Sequence, residues 1–150
     1  GAFKKTVIHK AENKGVLNKN VFIFDSIPKQ DLPQLYFECN MGSSFVISVK
    51  ELWANSANKF FDTLAAGKPI LINYEGWQKE VINIENIGYV LPTKITDNAI
   101  KDFITYTKKD LLIKKQQDNA LNIAKERYSL DVALKKFNNL FEYIIHNRKK

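Results

Sequence analysis

Asn55-Ser56-Ala57-Asn58-Lys59-Phe60-Phe61-Asp62-Thr63-Leu64-Ala65-Ala66-Gly67-Lys68-Pro69-Ile70-Leu71-Ile72 carries a helix, its stop and a buried strand in consecutive order. Phe60, Phe61, Leu64 and Ala65 recur at the spacing of one helix face, and Ser56 or Asn55 offers the side-chain oxygen expected at an N-cap. Gly67 suits the left-handed residue after a last turn, Pro69 forbids continuation, and Ile70-Leu71-Ile72 lacks a polar face, as in a strand buried on both sides. A helix that starts where a strand has just ended points its N-terminus at the C-terminal edge of a parallel sheet. Open α/β sheets bind ligands in the crevice at that edge, and the helix N–H groups favour an anion there, with Lys59 alongside.

Outward from this stretch, strands and helices alternate. Phe3, Val7, Ile8 and Ala11 have helical spacing over residues 3–14, ended by Gly15. Val21–Phe24 reads as a first strand, Ile27-Pro28 as a loop, residues 30–39 as a helix with Leu32, Leu35, Tyr36 and Cys39 on one side, and Ser44–Ser48 as a second strand. After a strand over residues 70–73, residues 76–84 read as a helix and 87–91 as a short last strand closed by Pro92. From Asp97 the pattern is helical to the end, with breaks near Lys109 and Tyr128-Ser129. The expectation is an α/β fold with a parallel sheet of about four strands and a helical C-terminal tail. Leu130, Leu134, Phe137, Leu140, Phe141, Ile144 and Ile145 form a stripe on the last helix too wide for a free surface helix, so the helix must dock on something, and without that partner part of the stripe is expected either to stay exposed or to drive self-association.

With 150 residues and 45% apolar content, the chain suits one domain spanning 1–150 with a core of its own. The single cysteine, Cys39, forms no internal disulfide and reads as a small buried hydrophobe. No apolar run reaches the ~18 residues of a membrane span, and the N-terminus lacks the order of a signal peptide, which predicts a cytoplasmic chain. The formal charge of +7 comes mostly from dispersed lysines, read as solvated helix faces. Their functional reading is an acidic ligand such as a sugar-nucleotide phosphate, or peripheral contact with an anionic bilayer, where each nearby Lys contributes about 1 kcal/mol. Lys108-Lys109, Lys114-Lys115 and Arg148-Lys149-Lys150 are the places to look. Basic residues interleaved with aromatics on one strand face, the mark of a nucleic-acid surface, are not evident. His9 and His146 have no metal-ligand spacing, no Asp-x-Asp occurs, and no cofactor or metal is expected.

Ser56 to Ile70 looks like the donor-binding segment of glycosyltransferase family four, retaining enzymes with the two-domain GT-B fold. Val21-Phe22-Ile23-Phe24-Asp25-Ser26-Ile27-Pro28-Lys29-Gln30-Asp31-Leu32-Pro33-Gln34-Leu35-Tyr36 resembles the strand, loop and helix before that segment, and Ala124-Lys125-Glu126-Arg127-Tyr128-Ser129-Leu130 the family's closing helices. The match covers nearly the whole chain, in order, but only the Rossmann-like C-terminal half-enzyme. The Ser-x-Asn-Lys form is most similar to transferases that build bacterial surface polysaccharides from UDP-linked amino sugars.

Gly1-Ala2-Phe3-Lys4-Lys5 looks like the loop after the second strand of that domain, so its first two strands and their helix are expected to be missing. In a 3-2-1-4-5-6 order this would part Val21–Phe24 from Ser44–Ser48, and either the two strands pair directly or another copy fills the gap. The missing part would also carry the family's basic diphosphate-binding pair.

The resemblance implies the following roles. Asp62 aligns with the second carboxylate of a Glu-x7-Glu pair, which accepts hydrogen bonds from the donor ribose; Ala54 stands where the first is expected. Asp62 would sit two turns into its helix. Asn55, Ser56 and Asn58 would contact the donor's sugar and phosphates, and Lys59 would supply charge. Backbone groups near Ile27 would read the base; Lys29 is either a pyrimidine or phosphate contact or a solvated helix residue. No residue is assigned a catalytic role, and the leaving diphosphate would be stabilised by the helix dipole and basic groups in place of a metal. The implied protein is a retaining transferase that binds a UDP-sugar donor and, with an N-terminal domain, passes the sugar to a polysaccharide or lipid-linked acceptor at the inner face of a membrane. The alternatives are a GT-B-like UDP-sugar epimerase, whose base and acid the chain does not show, and a non-catalytic nucleotide-binding module.

Overall fold

The computed structural model describes residues 2–147, so the basic tail Arg148-Lys149-Lys150 lies outside it. The residues cluster in two units, Gly1–Leu32 and Pro33–Lys150.

In the first unit, helix α1 (Lys4–Asn13) ends before Gly15, whose φ of +65° is the left-handed conformation that only a residue without Cβ adopts freely. Ala11 is buried, and its carbonyl accepts from the Val16 and Leu17 N–H groups at 3.0 and 3.3 Å. The chain then turns on itself, Asn18 N–H donating to the Val21 carbonyl at 2.8 Å and Val21 N–H to that of Val16 at 3.0 Å. The expected strand Val21–Phe24 does not form. Val21 makes only an isolated bridge with Leu17, and Phe22 and Phe24 are exposed. A strand needs a neighbour for its N–H and C=O groups, and among the described residues of this unit none runs beside it. Asp25 instead pairs with the Lys4 ammonium, which holds its carboxyl below the usual range although it is exposed. Ile27 is half-buried in the extended stretch before Pro28, and exposed Lys29 opens the 3-10 turn Lys29–Asp31.

Helix α2 (Leu32–Glu38) leads into the second unit, which is built on strands β1 (Gly42–Ser44), β2 (Ile70–Ile72) and β3 (Gly88–Val90), all parallel in the order β1-β2-β3. The sheet thus has three strands where about four are expected, and β1 starts two residues before the expected Ser44 and ends there. Ile70 pairs with Gly42 on one side and Gly88 on the other. Neither glycine is replaceable: a Cβ on Gly88 would stand 2.0 Å from the Ile70 carbonyl oxygen, and one on Gly42 would stand 2.2 Å from the Thr63 hydroxyl oxygen.

The crossovers are α3 (Asn58–Ala65) between β1 and β2 and α4 (Trp77–Glu85) between β2 and β3, as expected from connections too long for hairpins. Helix α3 ends as its sequence requires. Lys68 N–H donates to the Thr63 carbonyl at 3.1 Å and Gly67 N–H to that of Leu64 at 2.9 Å, around a Gly67 φ of +63°.

Three further helices follow: α5 (Asp97–Thr107), capped by the Thr96 hydroxyl on Ala99 N–H, then α6 (Asp110–Arg127) and α7 (Leu130–Asn147). Phe60 and Leu64 of α3, Ile70 and Ile72 of β2, Ile82 of α4 and Ala120, Ile123 and Ala124 of α6 share one core. On the other side of the pleat Tyr89 of β3 meets Tyr106 and Phe103 of α5, ring centroids 4.6 and 5.5 Å away. Helix α6 also clasps the end of α4. Asn119 donates to the Glu85 and Asn86 carbonyls at 3.0 and 3.1 Å, buried Gln116 donates to Asn86 Oδ1 at 2.8 Å and the Gly88 carbonyl at 3.0 Å, and Arg127 pairs with Glu85 at 2.6 Å. Cys39 is half-buried rather than sealed in a core. No helix among the described residues is long and apolar enough to cross a membrane.

Two tests follow from this packing. Gly67→Ala has room for its methyl group, with Leu121 Cβ 3.7 Å away, so its cost is the left-handed backbone alone, about 1–2 kcal/mol in urea unfolding; Gly88→Ala, which drives a methyl into β2 backbone, should cost more. Burial, reinforced by Tyr89, pushes the Tyr106 phenol up to about 12 from 10.0. Stability from this group is complete below the unfolded value and lost as pH rises from about 10 through 12, so Tyr106→Phe should flatten the alkaline fall in stability.

Candidate functional site

The C-terminal ends of β1 and β2 open toward the starts of α3 and α4, the place where the sequence puts its ligand. Between β1 and α3 the chain is held by side chains from the β2–α4 loop. Asn73 Nδ2 donates to the Val46 carbonyl at 3.0 Å, and Asn73 Oδ1 accepts from Val46 N–H at 2.9 Å, so an amide side chain continues the β1–β2 ladder two residues past its end. Two residues on from β2, Tyr74 donates to Gln78 Oε1, and Gln78 Nε2 donates to the Asn55 carbonyl at 3.2 Å. Gln78 is fully buried and Tyr74 nearly so, and burial raises the Tyr74 phenol pKa against an opposing hydrogen bond with Ser44. Gly76, at φ +100°, lies so close under Trp53 that a Cβ would stand 2.8 Å from the Trp53 carbonyl oxygen. The 3-10 turn Lys50–Ala54 and the residues after it therefore rest on a fixed floor.

The expected cap is not made. Asn55 follows the 3-10 turn, Ser56 is exposed, and the N-cap of α3 is Ala57, with no side-chain hydrogen bond to the first turn. The Lys50–Ala54 turn, whose signal the sequence reading missed, moves the start of α3 two residues beyond the hydroxyl of Ser56. The first turn of α3 has no side-chain acceptor at its cap, and exposed Asn58 and Lys59 are its first two residues. Asp62 is the fifth residue, one turn in rather than two. One turn places it on the face of Asn58, about 6 Å along the axis. It is half-buried at the rim of a 360 Å3 cleft lined by Phe61, Leu121, Lys125, Tyr128 and Ser129, and it forms no ion pair among the described residues. The cleft wall is aromatic: Phe61 stacks on Trp77 at 6.1 Å and meets Tyr128 edge-on at 5.1 Å. Trp77 thus packs against Phe60 and Phe61.

Asn55, Ser56, Asn58, Lys59 and Asp62 are brought together on one segment of the second unit, whereas Ile27 and Lys29 belong to the first. Sequence reasoning missed Gln78, whose amide holds the Asn55 carbonyl. His9 and His146 are exposed, and no group of three or more His, Cys, Asp or Glu that could hold a metal ion occurs among the described residues.

No family model and no curated protein matches this chain. Among solved structures it is similar to the crystal structure of the C-terminal domain of a glycosyl transferase group 1 family protein (LpcC) from Francisella tularensis, at 18% identity and a TM-score of 0.63, over 86% of this chain. The chain spans 64% of the length of that domain. The likeness is one of fold, a Rossmann-like parallel sheet with a helical C-terminal end.

The Asn73 clamp can be tested directly. Asn73→Ala should remove two hydrogen bonds worth about 1–3 kcal/mol together and speed amide exchange at Val46, without changing exchange in β3.

Proposed function

We propose that this chain is the donor-binding half of a retaining glycosyltransferase that holds a nucleotide sugar, UDP-linked, for transfer to a polysaccharide or lipid-linked acceptor. The carrying observation is the start of α3 at the C-terminal edge of the sheet, uncapped by any side chain, with Lys59 in the first turn and Asp62 one turn on. A diphosphate would accept hydrogen bonds from first-turn N–H groups, where the helix dipole favours negative charge. The ~6 Å from Asn58 to Asp62 suits the distance between a 5′-diphosphate and its ribose hydroxyls, so a carboxylate at position 62 can accept from the ribose while the phosphates lie at the helix start. Asn55, Ser56 and Asn58 offer amide and hydroxyl groups to the sugar. In this scheme the leaving diphosphate is stabilised by the α3 dipole and Lys59. A further domain supplies acceptor binding and the remaining active-site groups.

Titration of UDP, GDP, CDP and uridine into the full-length protein tests the reading. UDP should bind, Asp62→Ala should weaken it about ten- to hundredfold through loss of a charged acceptor, and Lys59→Ala should weaken UDP more than uridine, most at low salt. Absence of binding by every nucleoside diphosphate would overturn it.

A further inference from the structure

Both backbone groups of Asn55 are tied down. Its N–H donates to the Leu52 carbonyl at 3.2 Å, and its carbonyl accepts from Gln78 Nε2, also at 3.2 Å. The N–H groups of the four residues that follow, Ser56, Ala57, Asn58 and Lys59, meet no acceptor among the described residues. The run of free donors thus begins where Gln78 takes hold of the chain.

Gln78 is the second residue of α4 and is fully buried. Its amide has one orientation that satisfies both neighbours. The Asn55 carbonyl can only accept, so Nε2 must face it, and Oε1 is left to accept from the Tyr74 hydroxyl. Burying an amide carries a desolvation cost that an apolar side chain of the same length avoids, so packing alone does not explain this residue. What the amide does is orient a peptide. No cis bond occurs among the described residues, and in a trans peptide the N–H points opposite to the C=O. With the Asn55 carbonyl turned in to Gln78, the N–H of exposed Ser56 faces away from the buried amide, toward the open side of the segment. Reversing this peptide would put a carbonyl oxygen there, which repels an anion.

We propose that Gln78 is a positioning residue for the donor: it fixes the Asn55–Ser56 peptide so that the Ser56 N–H joins the first-turn N–H groups of Asn58 and Lys59 in binding the diphosphate. This deepens the donor-binding reading above and rests on it.

Gln78→Met removes the amide donor and keeps the side-chain length, and two readouts on the full-length protein follow it. Without ligand, the nuclear Overhauser contact from Asn55 Hα to the Ser56 amide proton is strong at the observed Asn55 ψ of 136° and should weaken in Gln78→Met, because reversal of the peptide takes ψ into the helical range. In titration, UDP should bind Gln78→Met about tenfold more weakly, while uridine, which has no phosphate, binds as it does to wild type and shows that the fold is kept. Gln78→Glu retains a partner for the Tyr74 hydroxyl and sets an acceptor against the Asn55 carbonyl, so it should split UDP from uridine at least as strongly. Tyr74→Phe is the control for stability: it breaks the other bond of the Gln78 amide but leaves Nε2 to donate to Asn55, and should lower the melting temperature with UDP affinity unchanged. An undiminished Asn55–Ser56 contact in Gln78→Met, equal losses for UDP and uridine, or a loss of UDP affinity in Tyr74→Phe as large as in Gln78→Met would overturn the proposal. Unchanged UDP binding by Gln78→Met overturns this role alone, whereas wild-type protein that binds no nucleoside diphosphate removes the donor reading and this role with it.

Discussion

The backbone of Ile70-Leu71-Ile72 is hydrogen-bonded on both sides, to Gly42–Ser44 and to Gly88–Val90, and all three of its side chains are buried. In the three-stranded sheet no other strand is paired twice, so β2 sets the depth of everything around it. Both neighbours meet Ile70 with a glycine. At Gly88 the missing Cβ lets the strands approach, and at Gly42 it leaves room for Thr63, whose buried hydroxyl turns back to the Lys59 carbonyl at 2.6 Å. The start of α3 is therefore placed by the packing of its second turn on β1.

The α3–β2 stretch is legible in the sequence because its punctuation is local. Gly67 and Pro69 act on their own residues, and the hydrogen bonds that close α3 form whatever lies elsewhere. The α4, α5 and α6 spans are legible for a similar reason, each having a stripe, a stop and a strand or turn at its ends. The α3 N-cap was not, because Lys50–Ala54 makes a 3-10 turn whose residues carry no Gly, Pro or Asp to announce it. Ser56 has the chemistry of a cap and the wrong place in the chain.

Polar residues were the least legible. Gln78, Gln116 and Asn119 look like solvated positions in an asparagine-rich chain, yet together with Asn73 they hold the joints between loops and helices. Each offers donor and acceptor on one planar group, so a single side chain can meet two backbone groups that a sheet or helix end has left over. Nothing in a spacing pattern distinguishes such an amide from one in water. In the candidate site the consequence is direct: the residues named from the motif face outward and can meet a ligand, while those that set their positions lie beneath and are visible only in the fold.

Val21–Phe24 and α7 show the same limit from the apolar side. Both have strong apolar patterns, and in both most of the apolar side chains stay exposed. An apolar period states that a segment gains by burial, worth about 25 cal/mol per Å2, and says nothing of what will cover it. For Val21–Phe24 the unmet need is backbone pairing as well, which side chains cannot replace, so the strand does not form. Helix α7 satisfies its backbone internally and persists without cover. A helix can thus form ahead of its partner and present a finished surface, whereas a strand exists only with its neighbour, which is why the two equally apolar segments end in different states.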